Sequence, residues 1–352
     1  MTDRLIENCG ADAVLITDPM NMRYFSGFKG GEGAVYLSKN RRVLITDSRY
    51  TEAASKESDF ELQEESGTVK RSALLEKLLR EDAASSLAYE DEAMRCSELF
   101  ELQEKLPFIS EWVRLGEKAD ACRRIKTKEE VEKMAAAAAI ADRALEILLS
   151  ELEVGMTEKE GAARLDYLMR KLGADGNSFD TIFASGVNSS MPHAVPTDKK
   201  LEKGDFVTID FGCRSDGYCS DMTRTLVMGK ASAKQREVYD TVLEANERAL
   251  EALKGGVIGK EIDAIARNVI RDAGYGEYFG HGLGHSVGLY IHENPRLSPI
   301  EEGVIEAGMI ETVEPGIYIP GWGGVRIEDM VLVTEDGFEF LCHAPKALIE
   351  LD

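Results

Sequence analysis

Cysteine is scarce: Cys9, Cys96, Cys122, Cys213, Cys219 and Cys342 are scattered over 352 residues with no C-x-x-C pair. That scatter argues against a disulfide framework and a zinc-thiolate site, and leaves the thiols as small buried residues. Basic residues are also short, 42 against 64 acidic, and the net charge of −22 with no basic patch speaks against nucleic acid and anionic membranes as partners. No apolar run approaches the roughly 20 residues that span a bilayer, and the opening MTDRLIENCG lacks the basic-then-apolar pattern of a secretion signal. A cytoplasmic globular protein is expected.

What is present is a chain that is 43% apolar and long enough for two domains. Through about residue 120, β runs at 13–17, 34–37, 42–46 and 87–89 alternate with helical stretches at 71–81 and 97–105, the pattern of an α/β domain. At Thr127-Lys-Glu-Glu130 a capping box opens an alanine-rich helix, so domains of 1–120 and 121–352 are expected.

The second domain repeats itself. RALE recurs at Arg143–Glu146 and Arg248–Glu251, and Gly155, Lys159, Glu160, Ala163, Arg170 and Gly173 match Gly256, Lys260, Glu261, Ala264, Arg271 and Gly274 at a constant offset. Two β-hairpins follow, from Lys203 and from Ala307. The expected architecture is two helix–helix–hairpin halves related by an approximate two-fold, with the hairpins meeting centrally.

Each hairpin carries two carboxylates, Asp210 and Asp221 in the first, Glu314 and Glu328 in the second, all in β runs rich in Val and Ile. Four buried carboxylates repel one another unless a cation lies between them. Arg224 and Arg326 are the main basic side chains nearby, so divalent metal is the economical counter-charge. Four of five histidines cluster in MPHAVP (His193) and GHGLGHSVGLYIHENP (His281, His285, His292), while His343 stands apart. Glycines 280, 282, 284 and 288 would let backbone approach a ligand closely, yet no GxGxxG spacing makes them a phosphate loop. Oxygen donors with a minority of nitrogen suit Mn²⁺, Co²⁺, Fe²⁺ or Zn²⁺ in a pair, which can hold a hydroxide between ions about 3.5 Å apart and so describes a hydrolase.

VTIDFG, SDMTRT, GHGLGHSVGLYIHENP, TVEPGIY and VRIEDM together resemble the pita-bread metallopeptidases, the family of Xaa-Pro aminopeptidase, prolidase and methionine aminopeptidase. ITDPMNMRYFSGFKGGEGAVYL and LITDSRYTEAA are similar to the creatinase-like N-terminal domain of the Xaa-Pro group. The resemblance implies a dinuclear exopeptidase that removes the N-terminal residue from Xaa-Pro peptides and accepts Xaa-Pro dipeptides, with Mn²⁺ the first choice of metal and a homodimer as the assembly. It implies that Asp210 chelates one ion, His285 and Glu314 the other, and Asp221 and Glu328 both. Glu314 would also shuttle the proton, His193 and His292 would donate to the carbonyl oxygen, and His281 would line the pocket. Thr223 is expected to fix Asp221, and Arg326 to fix Glu328 and border the substrate; Cys219 is expected to pack. Arg296, one residue beyond HENP, is expected to anchor a substrate carboxylate. The alternatives are a methionine or broad-specificity aminopeptidase, a creatinase-type amidinohydrolase and a non-catalytic peptide-binding module.

Overall fold

The computed structural model describes residues 2–351, and the chain divides into two compact units, Met1–Arg123 and Arg124–Asp352. The first is built on a mixed six-stranded sheet in the order Glu61–Glu65, Arg42–Asp47, Ala34–Ser38, Ala13–Ile16, Ser86–Tyr89, Glu111–Arg114. Ala13–Ile16 is buried at every position: Ala13 and Leu15 enter one apolar cluster, Val14 and Ile16 another. A strand covered on both faces reads as a continuous apolar run, which is why it was legible. The two outer strands, ELQEE and EWVR, are half-exposed and mostly charged, and carry no such run. Asp18 caps the helix Pro19–Ser26 by accepting from the amides of Met20 and Asn21, and Gly27 ends it in the left-handed conformation.

The second unit repeats one element order. Helices Lys128–Leu149 and Glu158–Lys171 lead to the strands Phe206–Phe211 and Met222–Met228; helices Ala233–Ala252 and Gly259–Asp272 lead to Ile310–Val313 and Asp329–Val333. Both long helices begin with a reciprocal capping box, Thr127 with Glu130 and Ser232 with Gln235. Four alanines of the first helix, Ala137, Ala138, Ala141 and Ala144, are fully buried.

The second hairpin departs from expectation. VRIEDMVLV is two strands rather than one: Gly323–Arg326 pairs with Gly316–Ile319, whereas Asp329–Val333 pairs with Ile310–Val313. Pro315 cannot donate to a ladder, and the amides beside the gap turn elsewhere, Glu314 N–H to the carbonyl of Leu283 and Glu328 N–H to that of Thr223. Among the described residues no helix is long and apolar enough to cross a membrane.

Candidate metal centre and active site

The carboxylates emerge where the strands begin, end or break. Asp210 lies in Phe206–Phe211, Asp221 directly precedes Met222–Met228, Glu314 directly follows Ile310–Val313, and Glu328 occupies the interruption just described. Gly212 permits the first hairpin to close, because a Cβ there would lie 1.9 Å from the carbonyl oxygen of Ser220. His285 stands on the short strand Gly284–Ser286 and is buried. Its Nδ1–H donates to the Ser286 carbonyl (3.1 Å), which leaves the Nε2 lone pair 3.4 Å from Glu314 Oε1 and 3.6 Å from Asp221 Oδ2. Ligand atoms sharing one cation at about 2.1 Å stand roughly 3 to 3.5 Å apart, so these separations fit a common ion. Donor atoms of Asp221, His285 and Glu328 all lie within 4.8 Å of one another. Asp210 Oδ1 is buried without a hydrogen-bond partner.

Burial, reinforced by the neighbouring carboxylates, holds Asp221 and Glu328 well above the ordinary carboxyl range and raises Glu314, against the opposing pull of Arg326. Burial lowers His285 to about 3, which keeps its ring neutral and able to ligate. A crowd of carboxylates that resists ionisation, an orphaned carboxylate oxygen and a neutral imidazole aimed among them fit a divalent metal site.

Behind the carboxylates, Arg326 pairs with Asp210 Oδ2 (2.5 Å) and donates to Thr223 Oγ1 (3.0 Å), Tyr318 OH (2.8 Å) and the Pro192 carbonyl (3.3 Å). Thr223 in turn donates to Glu328 Oε2 (2.7 Å). Both expected assignments therefore change: Thr223 serves Glu328 rather than Asp221, and Arg326 serves Asp210 rather than Glu328. Residues two apart on a strand share a face but stand about 7 Å apart, while Thr223 lies opposite Asp210 in register and its carbonyl binds the amide of Glu328. Arg326 borders the cavity but is 3% exposed, with its nitrogens committed to these protein acceptors.

His281 Nδ1–H donates to the Gly282 carbonyl (2.7 Å), so Nε2 accepts from Tyr318 OH (2.9 Å). Burial and the nearby Arg326 lower His281 to about 4, consistent with that accepting role. Tyr318, which sequence reasoning passed over, thus links the arginine to the histidine.

These groups face a cavity of about 490 Å³. His193, His292 and Arg296 line it as exposed side chains, and His292 stands edge-on to His285 with ring centroids 4.5 Å apart. Burial, with Arg296 second, lowers His292. Phe179, Asp180 and Ile182 also line the cavity, with no motif in the sequence to mark them, as does Ile291 beside His292 in the histidine segment. Two glutamates pin the segments that carry the outer groups. Glu158 accepts from Ser185 N–H (2.7 Å), Thr197 N–H (2.9 Å) and Asn188 Nδ2 (3.0 Å), and Glu301 accepts from the amides of Arg296 (3.2 Å) and Gly303 (2.7 Å). The glycines of the histidine segment answer to the protein's own packing: a Cβ at Gly284 would lie 1.9 Å from Thr312 O and one at Gly288 2.5 Å from the Glu293 carboxylate, while Gly280 faces open space. Cys219 is buried as expected, and His343 is exposed.

Glu311, three residues before Glu314, is fully buried, with Oε1 accepting from Ser286 Oγ and Oε2 unpartnered. Burial pushes its carboxyl up to about 8. A raised carboxyl favours the protonated folded state. Stability is therefore intact below the ordinary carboxyl range and is lost as pH rises from there toward 8, on the order of 5 kcal/mol at most. Glu311→Gln is expected to raise the melting temperature at pH 8.5 and to do so much less at pH 5. A pH-independent difference in thermal unfolding would refute this origin.

Residues 132–335 match the family described as metallopeptidase family M24, and residues 2–125 match the creatinase/prolidase N-terminal domain. The chain is 41% identical to the Xaa-Pro dipeptidase of Pyrococcus furiosus over 98% of its own length and 97% of that protein. Among solved structures it is similar to the Xaa-Pro dipeptidase from Bacillus anthracis (TM-score 0.95, 42% identity, 99% of each chain). It is as similar to the X-Pro aminopeptidase from Thermotoga maritima (TM-score 0.94, 40% identity, 99% of each chain). The chain belongs to metallopeptidase family M24, its pita-bread catalytic domain preceded by a creatinase/prolidase N-terminal domain.

Proposed function

We propose that this metallopeptidase is a dinuclear exopeptidase that removes the N-terminal residue from Xaa-Pro peptides and also accepts Xaa-Pro dipeptides. One observation carries the reading: a single cavity brings together a carboxylate and imidazole cluster, two exposed imidazoles and a guanidinium that no acidic side chain among the described residues pairs. Asp210 would hold one ion, His285 and Glu314 the other, and Asp221 and Glu328 both, with Mn²⁺ preferred over Co²⁺, Zn²⁺ or Fe²⁺. Such a pair supplies Lewis acidity and activates water.

The chain's own groups do the rest. Glu314 takes the proton released as water attacks the scissile carbonyl and returns it to the proline nitrogen as the C–N bond breaks. His193 and His292 donate N–H to the carbonyl oxygen as negative charge grows there. Arg326 holds Asp210, and Tyr318 holds His281 against the pocket wall. The bond attacked has its nitrogen in a ring and no N–H to align it, a lack that matters little where side chains provide the orientation. Six unpaired thiols support a cytoplasmic setting, and a homodimer belongs to the same reading.

Arg296 decides substrate length. Its main chain is pinned by Glu301 and its side chain lines the cavity, which suits it to a free carboxylate directly after proline. Arg296→Ala is expected to lower kcat/KM for Ala-Pro by about 10- to 100-fold, the worth of a charge-assisted pair, and to affect Ala-Pro-Ala several-fold less. Equal penalties would remove Arg296 as the anchor. Failure of the wild type to cut either peptide would remove the Xaa-Pro specificity.

A further inference from the structure

We infer that Asn246, locked by Lys346, is a positioning residue that sets the separation of Glu314 and Glu328 through their main chain. The inference rests on those two carboxylates being metal ligands. Asn246 is fully buried in the helix Ala233–Ala252 and lies outside the cavity lining. Its Nδ2 donates to the carbonyl of Val313 (2.8 Å) and, at the limit of bonding distance, to that of Ile327 (3.5 Å). These are the residues immediately before Glu314 and Glu328. Strand pairing between the two segments stops at Val313 opposite Asp329, so the carboxylates beyond are free to turn into the cavity. A single amide ties the main chain on both sides of that opening.

The amide is itself held in one orientation. Lys346 donates to Asn246 Oδ1 (2.9 Å), which obliges Nδ2 to face the two carbonyls. The same ammonium pairs with Asp329 Oδ2 (2.8 Å), and Arg224 donates to Asp329 Oδ1 (2.9 Å) and to the carbonyl of Glu328. Tyr239 OH fixes the Lys346 carbonyl (2.8 Å). A segment near the C-terminus is thus wired to the residues that flank both carboxylates.

The repeat points the same way. In the register that places Arg143 on Arg248, Asn246 corresponds to Ala141, which is equally buried and has no donor. Both return strands are interrupted, at Ser220 and Asp221 as at Ile327 and Glu328, but in the first half the ladder runs past Asp210, which lies opposite Thr223, and that position has no such amide; in the second half the ladder stops at Val313, one residue short of Glu314, and the amide is there. A buried polar side chain on an otherwise apolar helix face is retained where main-chain groups need it.

The test uses the full-length protein loaded with Co²⁺, whose visible absorption reports ligand geometry. Asn246→Asp keeps size and the contact to Lys346 but loses the donor. It is expected to weaken Co²⁺ binding by at least 10-fold and to shift the absorption bands. Lys346→Met leaves the donor unanchored and is expected to move both readouts in the same direction by less, and it carries the test if Asn246→Asp does not fold. Wild-type Co²⁺ affinity and spectrum in the variants, whatever their melting temperatures, would overturn the inference. A wild-type protein that takes up no Co²⁺ would instead overturn the metal centre on which it rests.

Discussion

Removing the divalent metal with a chelator is expected to lower Xaa-Pro hydrolysis at least 1,000-fold, on the order of losing the group that activates water, with activity restored by Mn²⁺ or Co²⁺. Asp221 and Glu328 are almost completely buried, and Asp210 relies on Arg326 while one of its oxygens has no partner. Without a cation the cluster relieves its repulsion by holding protons, as the raised Asp221, Glu314 and Glu328 carboxyls indicate. The sign for stability follows. Carboxyls raised in the folded state favour folding below their ordinary range and oppose it increasingly as pH rises, so the metal-free protein should weaken from pH 5 to pH 8. Metal replaces those protons, so the gap in melting temperature between loaded and stripped protein should widen over the same interval. Full activity in a demonstrably metal-free preparation would sink the proposed chemistry.

Which features could be read in the sequence follows from what each depends on. The candidate carboxylates were visible because Asp210, Asp221, Glu314 and Glu328 sit in or beside apolar β runs, where a charged side chain has no ordinary reason to be, and His285 because it falls in a histidine cluster whose motif resembles the family's. The repeat was visible because equivalent helices need equivalent caps and turns, as at Thr127 and Ser232 or Gly155 and Gly256. The interruption at Ile327 and Glu328 was not, since only partner choice reveals the gap. Thr223 and Glu328 meet across 105 positions, and Asn246 reaches Val313 from another element, so no local spacing announces either. Tyr318 reads as an ordinary strand aromatic until Arg326 and His281 are seen on either side of its hydroxyl. The half-exposed edge strand Glu61–Glu65 has too little apolar content to be seen at all.

The four clustered histidines should separate by experiment into one whose loss empties the site and others whose loss slows it. His285 is 6% exposed, donates Nδ1–H to the Ser286 carbonyl and points Nε2 among the carboxylates, so His285→Ala is expected to lower metal occupancy and, with it, activity. His193 and His292 are exposed on the cavity wall, with no metal-type cluster about either among the described residues. Alanine at either position is expected to leave metal content unchanged and reduce kcat by about 10²- to 10³-fold, the range measured for a lost oxyanion donor. For His292 the loss should fall mainly on kcat rather than KM, because an N–H that meets the carbonyl oxygen most strongly as charge develops contributes little to ground-state binding. His281 gives a control. Its Nε2 is occupied by Tyr318 and its Nδ1 by Gly282, so neither nitrogen is free to ligate, and His281→Ala should retain metal. Metal analysis and steady-state kinetics on the four single variants decide the matter: if His281→Ala strips the metal while His285→Ala keeps it, the two histidines have been assigned the wrong way round.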